Sequence, residues 1–323
     1  MQTINNYLES QDTNPALCSL ITTLLNACTH IASKVGQGEL AGVLGVTTEQ
    51  NIQGETQKKL DVISNDILKV ALLKNKTVKT LASEEEDFVV AGNENGNYVV
   101  AFDPLDGSSN IDINGQIGTI FTIYAALKKE PSNSKKQFSQ KGSQQLCAGY
   151  VLYGASTLLV ISVGGPTKIF TLDRTRGDYF MSNKDVTITH DTNEFSINIA
   201  NYCKWPTQFK KYVEHLIAGE NDKRAKRFNM RWNGSMVGDM HRILYRGGIF
   251  CYPSDISNPH KPAKLRLLYE ANPIAFLVEN AKGKAYTENE RILDVTPYDI
   301  HQRVPVIIGS AGEVDICLSY LKE

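Results

Sequence analysis

The chain has 323 residues, 41% of them hydrophobic and 21% charged, with a formal net charge of −1. That length allows a large core and predicts two domains. The near-neutral balance excludes the broad basic surface that nucleic acid or an anionic membrane would attract, so any anion must be caught by a local cluster. The N-terminal MQTINNYLESQD has no basic region ahead of an apolar run, so no secretory signal is expected. No stretch offers the roughly 18 uninterrupted apolar residues of a membrane span. Cys18, Cys28, Cys147, Cys203, Cys251 and Cys317 are scattered without a Cys-x-x-Cys pair. Such thiols read as reduced, mostly small core residues, and the expectation is a soluble cytoplasmic protein.

Leu17, Leu20, Ile21, Leu24, Leu25, Cys28 and Ile31 recur at helical spacing, predicting an amphipathic helix opened by Pro15 and closed by Gly36. His30 borders that stripe and reads as a structural histidine. Residues 36–54, rich in Gly, Thr and Asn, read either as an ordinary surface loop or as one that closes over a site. Leu60, Ile63, Ile67, Leu68 and Leu72 predict a second helix, and Asp61 within it, taken alone, reads as a solvated helix-face charge. A short strand then ends at Ala82, and Ser83–Glu86 has the spacing of a capping box that starts a helix. Capping does not require the adjacent carboxylates of Glu84 and Glu85 at a strand end.

The most informative stretch is Tyr98–Asp112, YVVAFDPLDGSSNID. Its apolar run predicts a buried strand delivering Asp103 to the C-terminal end, where open α/β sheets place ligands. Pro104 fixes the turn, Asp106 returns three residues later, and Gly107 can take a conformation that other residues resist. Successive N–H groups of Gly107, Ser108 and Ser109 can converge on an anion. An Asx-turn closing a strand would account for DPLDG alone. Carboxylates beside an anion cradle, however, call for a cation between them. If Glu84 and Glu85 converge on Asp103 and Asp106, two or more divalent ions are implied, and all-oxygen ligands suit Mg²⁺ or Mn²⁺.

Beyond it, GQIGTIFTIYAAL reads as a buried strand pair, Lys128–Ser143 as a polar, disorder-like loop, and Cys147–Asn183 as several strands. The polar Asp185–Asn193 is the candidate boundary between domains at 1–188 and 189–323. FSINIAN predicts a strand and Trp205–Ala218 a helix. The basic run from Lys223 to Arg246 interleaves with Gly234 and Ser235, so it reads either as a solvated face or as a phosphate-binding surface. GGIFCYPSD predicts a strand with Tyr252 at its tip, KLRLLYEANPIAFLVENAKG a helix with Glu270 near its start, and the tail a strand and a short helix.

DPLDGSSNID resembles the metal-binding signature of the magnesium-dependent, lithium-sensitive phosphatase superfamily. With NIQGETQKKLDVISND, SEE, GSMVGDMHR, GGIFCYP, KLRLLYEANP and DIHQRVPVIIGS in this order, nearly the whole chain is similar to class I fructose 1,6-bisphosphatases. The resemblance implies an α/β fold, a layered α-β-α-β-α sandwich with mixed sheets of the sugar-phosphatase type. It implies a gluconeogenic hydrolase that removes the 1-phosphate of fructose 1,6-bisphosphate. Residue by residue, Glu84, Glu85, Asp103, the Leu105 carbonyl, Asp106 and Glu270 match metal ligands, and Asp61 and Glu85 match the acids that handle the attacking water. Asp106, Gly107, Ser108 and Ser109 match contacts to the departing phosphate. Asn198, Arg231, Trp232, Met236, Tyr252, Lys264 and Arg266 match contacts to the sugar and its second phosphate. The family's arginine at the Arg231 position reaches in from a neighbouring subunit, implying a homotetramer.

Some positions depart from the family. Trp232 stands where tyrosine is common, and an indole N–H donates but cannot accept. The Asn-x-x-Tyr pattern reads Asn198 to Asn201, with Tyr202 displaced by one. Asn14–Cys18 replaces the Thr-Gly-Glu-Leu-Thr run that binds inhibitory AMP in animal members, Ala125 replaces its arginine, and Pro15 removes a backbone N–H. AMP inhibition of the animal type is therefore expected to be weak or absent, and the paired-cysteine insertion of chloroplast members is missing. Alternatives are sedoheptulose 1,7-bisphosphatase or dual activity, an inositol or nucleotide phosphatase, and a metabolite-binding regulator without turnover.

Overall fold

The computed structural model describes residues 1–43, 45–50, 56–221, 223–258 and 263–322, with the backbone alone at 46–50 and 56–57. The chain opens with α1 (Ile4–Ser10), α2 (Pro15–Gln37) and α3 (Lys59–Lys74); an antiparallel pair, β1 (Val46–Gln50) and β2 (Thr56–Lys58), precedes α3. Part of the expected site-closing loop, residues 44 and 51–55, lies outside the described residues. Pro15 does start α2, where its missing N–H has no intrahelical partner to lose, and Asn14 Oδ1 accepts from the Ala16 N–H at 2.9 Å. The helix runs past Gly36 and stops at Gln37, because Gly38 at φ 51° takes the left-handed turn. By length and apolar composition alone, the stretch Pro15–Ala41 would suit a membrane span. Its apolar stripe instead lies in the core, with Leu20, Ile21, Leu24, Cys28 and Ile31 fully enclosed.

The first sheet uses β3 (Val78–Ser83), β4 (Val90–Ala91), β5 (Tyr98–Asp106), β6 (Ile117–Ala125), β7 (Cys147–Tyr153), β8 (Thr157–Ser162), β9 (Lys168–Asp173) and β10 (Asp178–Asn183). Their spatial order is β10-β9-β8-β7-β6-β5-β3-β4, antiparallel except for the parallel pair β3–β5. The strand pair expected in GQIGTIFTIYAAL is the single strand β6. Gly118 does not turn the chain there; it gives β7 room, since a Cβ at that point would lie 2.5 Å from the Val151 carbonyl oxygen. The polar stretch Lys128–Ser143 is tied down by Gln137, fully buried, whose amide donates to the Leu127 and Glu130 carbonyls and accepts from the Leu127 N–H.

The second half supplies β11 (Glu194–Ser196), α4 (Thr207–Ala218), β12 (Asn229–Met230), α5 (Met236–Arg246) and β13 (Ile249–Tyr252). After β14 (Leu265–Arg266) and a single π turn (Leu267–Ala271) come α6 (Asn272–Asn280), β15 (Lys284–Tyr286), β16 (Arg303–Val304), β17 (Val306–Gly309) and α7 (Ala311–Leu321). The mixed second sheet has the order β12-β11-β13-β17-β15. Helices α1–α3 cover one face of the first sheet. Helices α5 and α6 fill the space between the sheets, through Val237, Met240, Ile274 and Leu277 against Ile120, Leu152, Phe250 and Ile308. Helices α4 and α7 close the far side through Phe209, Tyr212, Val314 and Cys317. The result is the α-β-α-β-α layering expected for this chain.

Candidate active site

Parallel pairing of β3 with β5 brings the C-terminal ends of both strands to one edge. Glu84 leaves β3 there, its N–H donating to the Phe102 carbonyl at 3.1 Å. No helix starts at Ser83. Its hydroxyl donates to Asn65 Oδ1 at 2.7 Å and accepts from the Glu85 N–H at 3.3 Å, so the capping spacing builds a turn that presents two carboxylates. On β5, Asp103 faces Ile120 and Asp106 faces Gly118, leaving Pro104 and Leu105 opposite the single residue Thr119. In a regular strand a spacing of three points side chains to opposite faces; this bulge returns both aspartates to the same one.

Glu270, on the π turn, completes a cluster in which carboxylate oxygens of Asp103, Asp106 and Glu270 lie within 4.8 Å of one another. Each is gripped by the backbone. Asp103 accepts from the Leu105 N–H at 2.9 Å, Asp106 from the Val237 N–H at 2.8 Å, and Glu270 from the Arg266 N–H at 2.7 Å. Burial, then the charges of Glu84, Asp106 and Glu270, holds the Asp103 carboxyl well above the usual carboxylate range. Burial likewise pushes Asp106 up to about 6 despite its amide donors, and Glu270 up to about 7 despite the nearby Arg266 guanidinium. Arg266 pairs with Glu84 at 2.5 Å and stands 3.9 Å from Glu270. Carboxylates held this close by backbone donors, and this reluctant to ionise, have the chemistry of a hard-cation site with oxygen ligands.

Asp61 is not a solvated helix-face charge: it is 3% exposed, at the first turn of α3. Its carboxylate accepts from the Lys58 N–H at 2.9 Å and the Ser108 hydroxyl at 2.7 Å, and burial raises it to about 6. Gly107 has φ 87°, and a Cβ there would sit 2.5 Å from the Ser235 Cβ, so only glycine fits this turn. Ser108 and Ser109 open the short turn that follows.

These residues line one cavity of about 360 Å³. Asp61, Glu84, Glu85, Asp103, Leu105, Asp106, Gly107, Ser108, Ser109 and Glu270 share it with Asn198, Trp232, Met236, Tyr252, Lys264 and Arg266. Trp232 lies parallel to Phe250 with ring centroids 6.0 Å apart, and the Lys264 ammonium sits 6.0 Å from the centre of the Tyr252 ring. Arg231 is the exception among the expected residues. Its guanidinium donates to the Met230 carbonyl and lines a separate cavity with Trp232, His241 and Arg242. Asn201 lines a further cavity that shares Tyr252 and Lys264, whereas the Tyr202 hydroxyl is turned to Glu214 on α4.

Sequence reasoning missed Asp239 and named Ser235 only within the basic run. Ser235 caps α5 by accepting from the Gly238 N–H and donates to Asp106 at 3.1 Å. Asp239, buried and raised to about 6 by burial, accepts from Ser196 Oγ at 2.8 Å and from the Asn233 N–H at 3.0 Å, fixing the loop that carries Trp232. A serine ahead of an acid in the first turn of a helix was the available signal.

Family models cover both halves: the fructose-1-6-bisphosphatase N-terminal domain matches residues 2–184 and the C-terminal domain residues 188–322. The chain is similar to fructose-1,6-bisphosphatase class 1 of Cellvibrio japonicus, 59% identical over 323 residues and covering all of both chains. It is 60% identical over 321 residues to the class 1 protein of Saccharophagus degradans, covering 99% of this chain and all of that one. Its fold is similar to the crystal structure of Leishmania major fructose-1,6-bisphosphatase in holo form, with TM-score 0.94 and 37% identity over 100% of this chain and 99% of that one.

Proposed function

The chain belongs to the fructose-1,6-bisphosphatase family, and from that premise we infer that it is a class 1 enzyme that hydrolyses D-fructose 1,6-bisphosphate to fructose 6-phosphate and phosphate. The observation that carries this reading is the cavity in which three converging carboxylates face aromatic and basic side chains fit for a phosphorylated sugar. The family depends on a divalent metal. Glu84, Glu85, Asp103, the Leu105 carbonyl, Asp106 and Glu270 would hold two or more Mg²⁺ or Mn²⁺ ions, consistent with their oxygen donors and mutual repulsion. When bound, such ions lower the pKa of water and offset charge on the phosphoryl oxygens.

The chain's own residues have the following roles. Asp61, raised to about 6 and held by Lys58 N–H and Ser108, takes the proton of the attacking water, with Glu85 orienting it. The amides of Gly107, Ser108 and Ser109 hold the phosphoryl oxygens beside Asp106. Asn198, Trp232, Met236, Tyr252, Lys264 and Arg266 grip the sugar and its second phosphate, and Asn201 takes the place of the displaced tyrosine, supported by the cavity it shares with Tyr252 and Lys264. Arg231, turned away from its own cavity, serves that of a neighbouring subunit in a homotetramer. The N-terminal domain, 1–188, carries most metal ligands and the C-terminal domain, 189–323, most substrate contacts. The protein works in the cytoplasm, in keeping with its free cysteines. AMP inhibition of the animal type is absent or weak, since Pro15 occupies the first turn of α2 and Ala125 lacks a cation.

Phosphate release with Mg²⁺ from a panel of fructose 1,6-, sedoheptulose 1,7- and inositol phosphates tests the reading, with kcat/KM highest for the fructose ester. Turnover that survives exhaustive chelation, or none with fructose 1,6-bisphosphate, would overturn it.

A further inference from the structure

The bulge that aims Asp103 and Asp106 into the cavity has a single residue opposite it, Thr119 on β6. This threonine is fully buried in a strand that is otherwise apolar from Ile117 to Ile123, apart from Gly118 and Thr122. Its Oγ1 donates to the Pro104 carbonyl at 2.9 Å, at the peptide between the two aspartates, where the bulge interrupts the ladder. The same Oγ1 lies 2.7 Å from the Tyr153 hydroxyl on β7. A carbonyl can only accept, so the one threonine proton goes to Pro104 and Tyr153 must donate to Thr119. Cys28 of α2 is fully buried beside this pair, and burial pushes its thiol pKa up to about 12 although the Tyr153 and Thr119 hydroxyls lower it, so it stays S–H. Two buried side chains thus run from β7 through β6 to the bulge, and neither lines the cavity of the carboxylates.

We propose that Thr119 is a positioning residue for the metal carboxylates: its hydroxyl, oriented by Tyr153, fixes the Pro104 peptide and with it the placement of Asp103 relative to Asp106. The inference rests on reading these carboxylates as metal ligands. Mutating residues that orient ligands from behind typically costs roughly 10- to 100-fold in metal affinity. A carbonyl left without its donor would relax toward another partner, and the bulge would relax with it.

The test is Mn²⁺ binding to chelator-stripped protein, read from the electron paramagnetic resonance of the free ion, with kcat and KM measured alongside. Thr119→Val keeps the β-branched shape that suits a strand and removes only the hydroxyl. It is expected to weaken Mn²⁺ binding roughly 10-fold and to lower kcat at limiting metal, with KM for the sugar bisphosphate unmoved. Thr119→Ser, which keeps the hydroxyl, is expected to restore binding, and Tyr153→Phe to weaken it less than Thr119→Val. Unchanged Mn²⁺ affinity in Thr119→Val overturns the proposal, as does equal weakening in the Val and Ser variants, which would indicate packing rather than the hydrogen bond. If Thr119→Val does not fold, Tyr153→Phe decides, and unchanged affinity in that variant overturns it. Wild-type protein that binds no Mn²⁺ overturns the metal reading and this inference with it, whereas tight wild-type binding with an indifferent Thr119→Val variant overturns this inference alone.

Discussion

The carboxylate lining and the aromatic and basic lining of the same cavity are built on different principles. Asp61, Asp103, Asp106 and Glu270 are all buried, and each accepts from a backbone N–H, those of Lys58, Leu105, Val237 and Arg266 respectively. Trp232, Tyr252 and Asn198 are half-buried and Lys264 is exposed, and Trp232, Tyr252 and Lys264 meet chiefly through their side chains. The first set is rigid because moving it means moving strands and turns. The second can adjust a rotamer at small cost. On the proposed reading, chemistry that tolerates little displacement falls to backbone-held groups, and recognition to side chains that can move.

Breaking the rigid half should cost most. Asp103→Asn is expected to lower kcat by about 10³-fold or more, because it removes several kcal/mol of charge stabilisation. The metal-free variant should melt no lower than wild type, since one repelling carboxylate is gone. Phosphate release and circular-dichroism melts check both parts, and a well-folded variant with wild-type kcat refutes the ligand assignment. Asp61→Asn should lose about 10²-fold or more. With Asp61 at about 6, wild-type kcat should rise as pH passes through that value, because only the unprotonated carboxylate accepts a proton, and the variant's profile should lack this limb.

A subtler outcome comes from metal removal. Glu270 is raised from 4.5 to about 7 in the fold, so between those values the folded chain holds more protons than the unfolded one. The stability this contributes is complete below about pH 4.5 and is lost as pH climbs through about 7. A bound cation stabilises the ionised form, so Mg²⁺ should raise the melting temperature more at pH 8 than at pH 5, as scanning fluorimetry can show. An equal shift at both pH values would leave the cluster without a role in binding. The adjustable half should respond least: Trp232→Tyr is expected to move KM by no more than about 10-fold, the scale of one hydrogen bond, with kcat nearly constant. A large fall in kcat in steady-state kinetics would erase the distinction between the two linings.

Much of the site was legible where its geometry is local. YVVAFDPLDGSS names a strand, a turn and an anion cradle because apolar run length, proline and glycine constrain the backbone within a few residues. The stripe of α2 was legible for the same reason. Where a reading failed, a distant neighbour decided. The strand pair expected in GQIGTIFTIYAAL is one strand once β7 packs against Gly118, and Ser83 spent its capping hydroxyl on Asn65 of α3 instead of starting a helix. Asp239 became visible only when Ser196 and Asn233 arrived from other elements to meet it.

The sequence alone determined that this chain carries aspartates three residues apart at a strand end, with glycine and serines behind them, because such features depend on covalent neighbours. Only the tertiary structure decided that a bulge turns both aspartates to one side, that Glu270 joins them, that Asp61 is buried and that Arg231 lines a different cavity. The reason is that burial, pairing and protonation are set by whatever packs alongside from elsewhere in the chain, and no local pattern encodes that company.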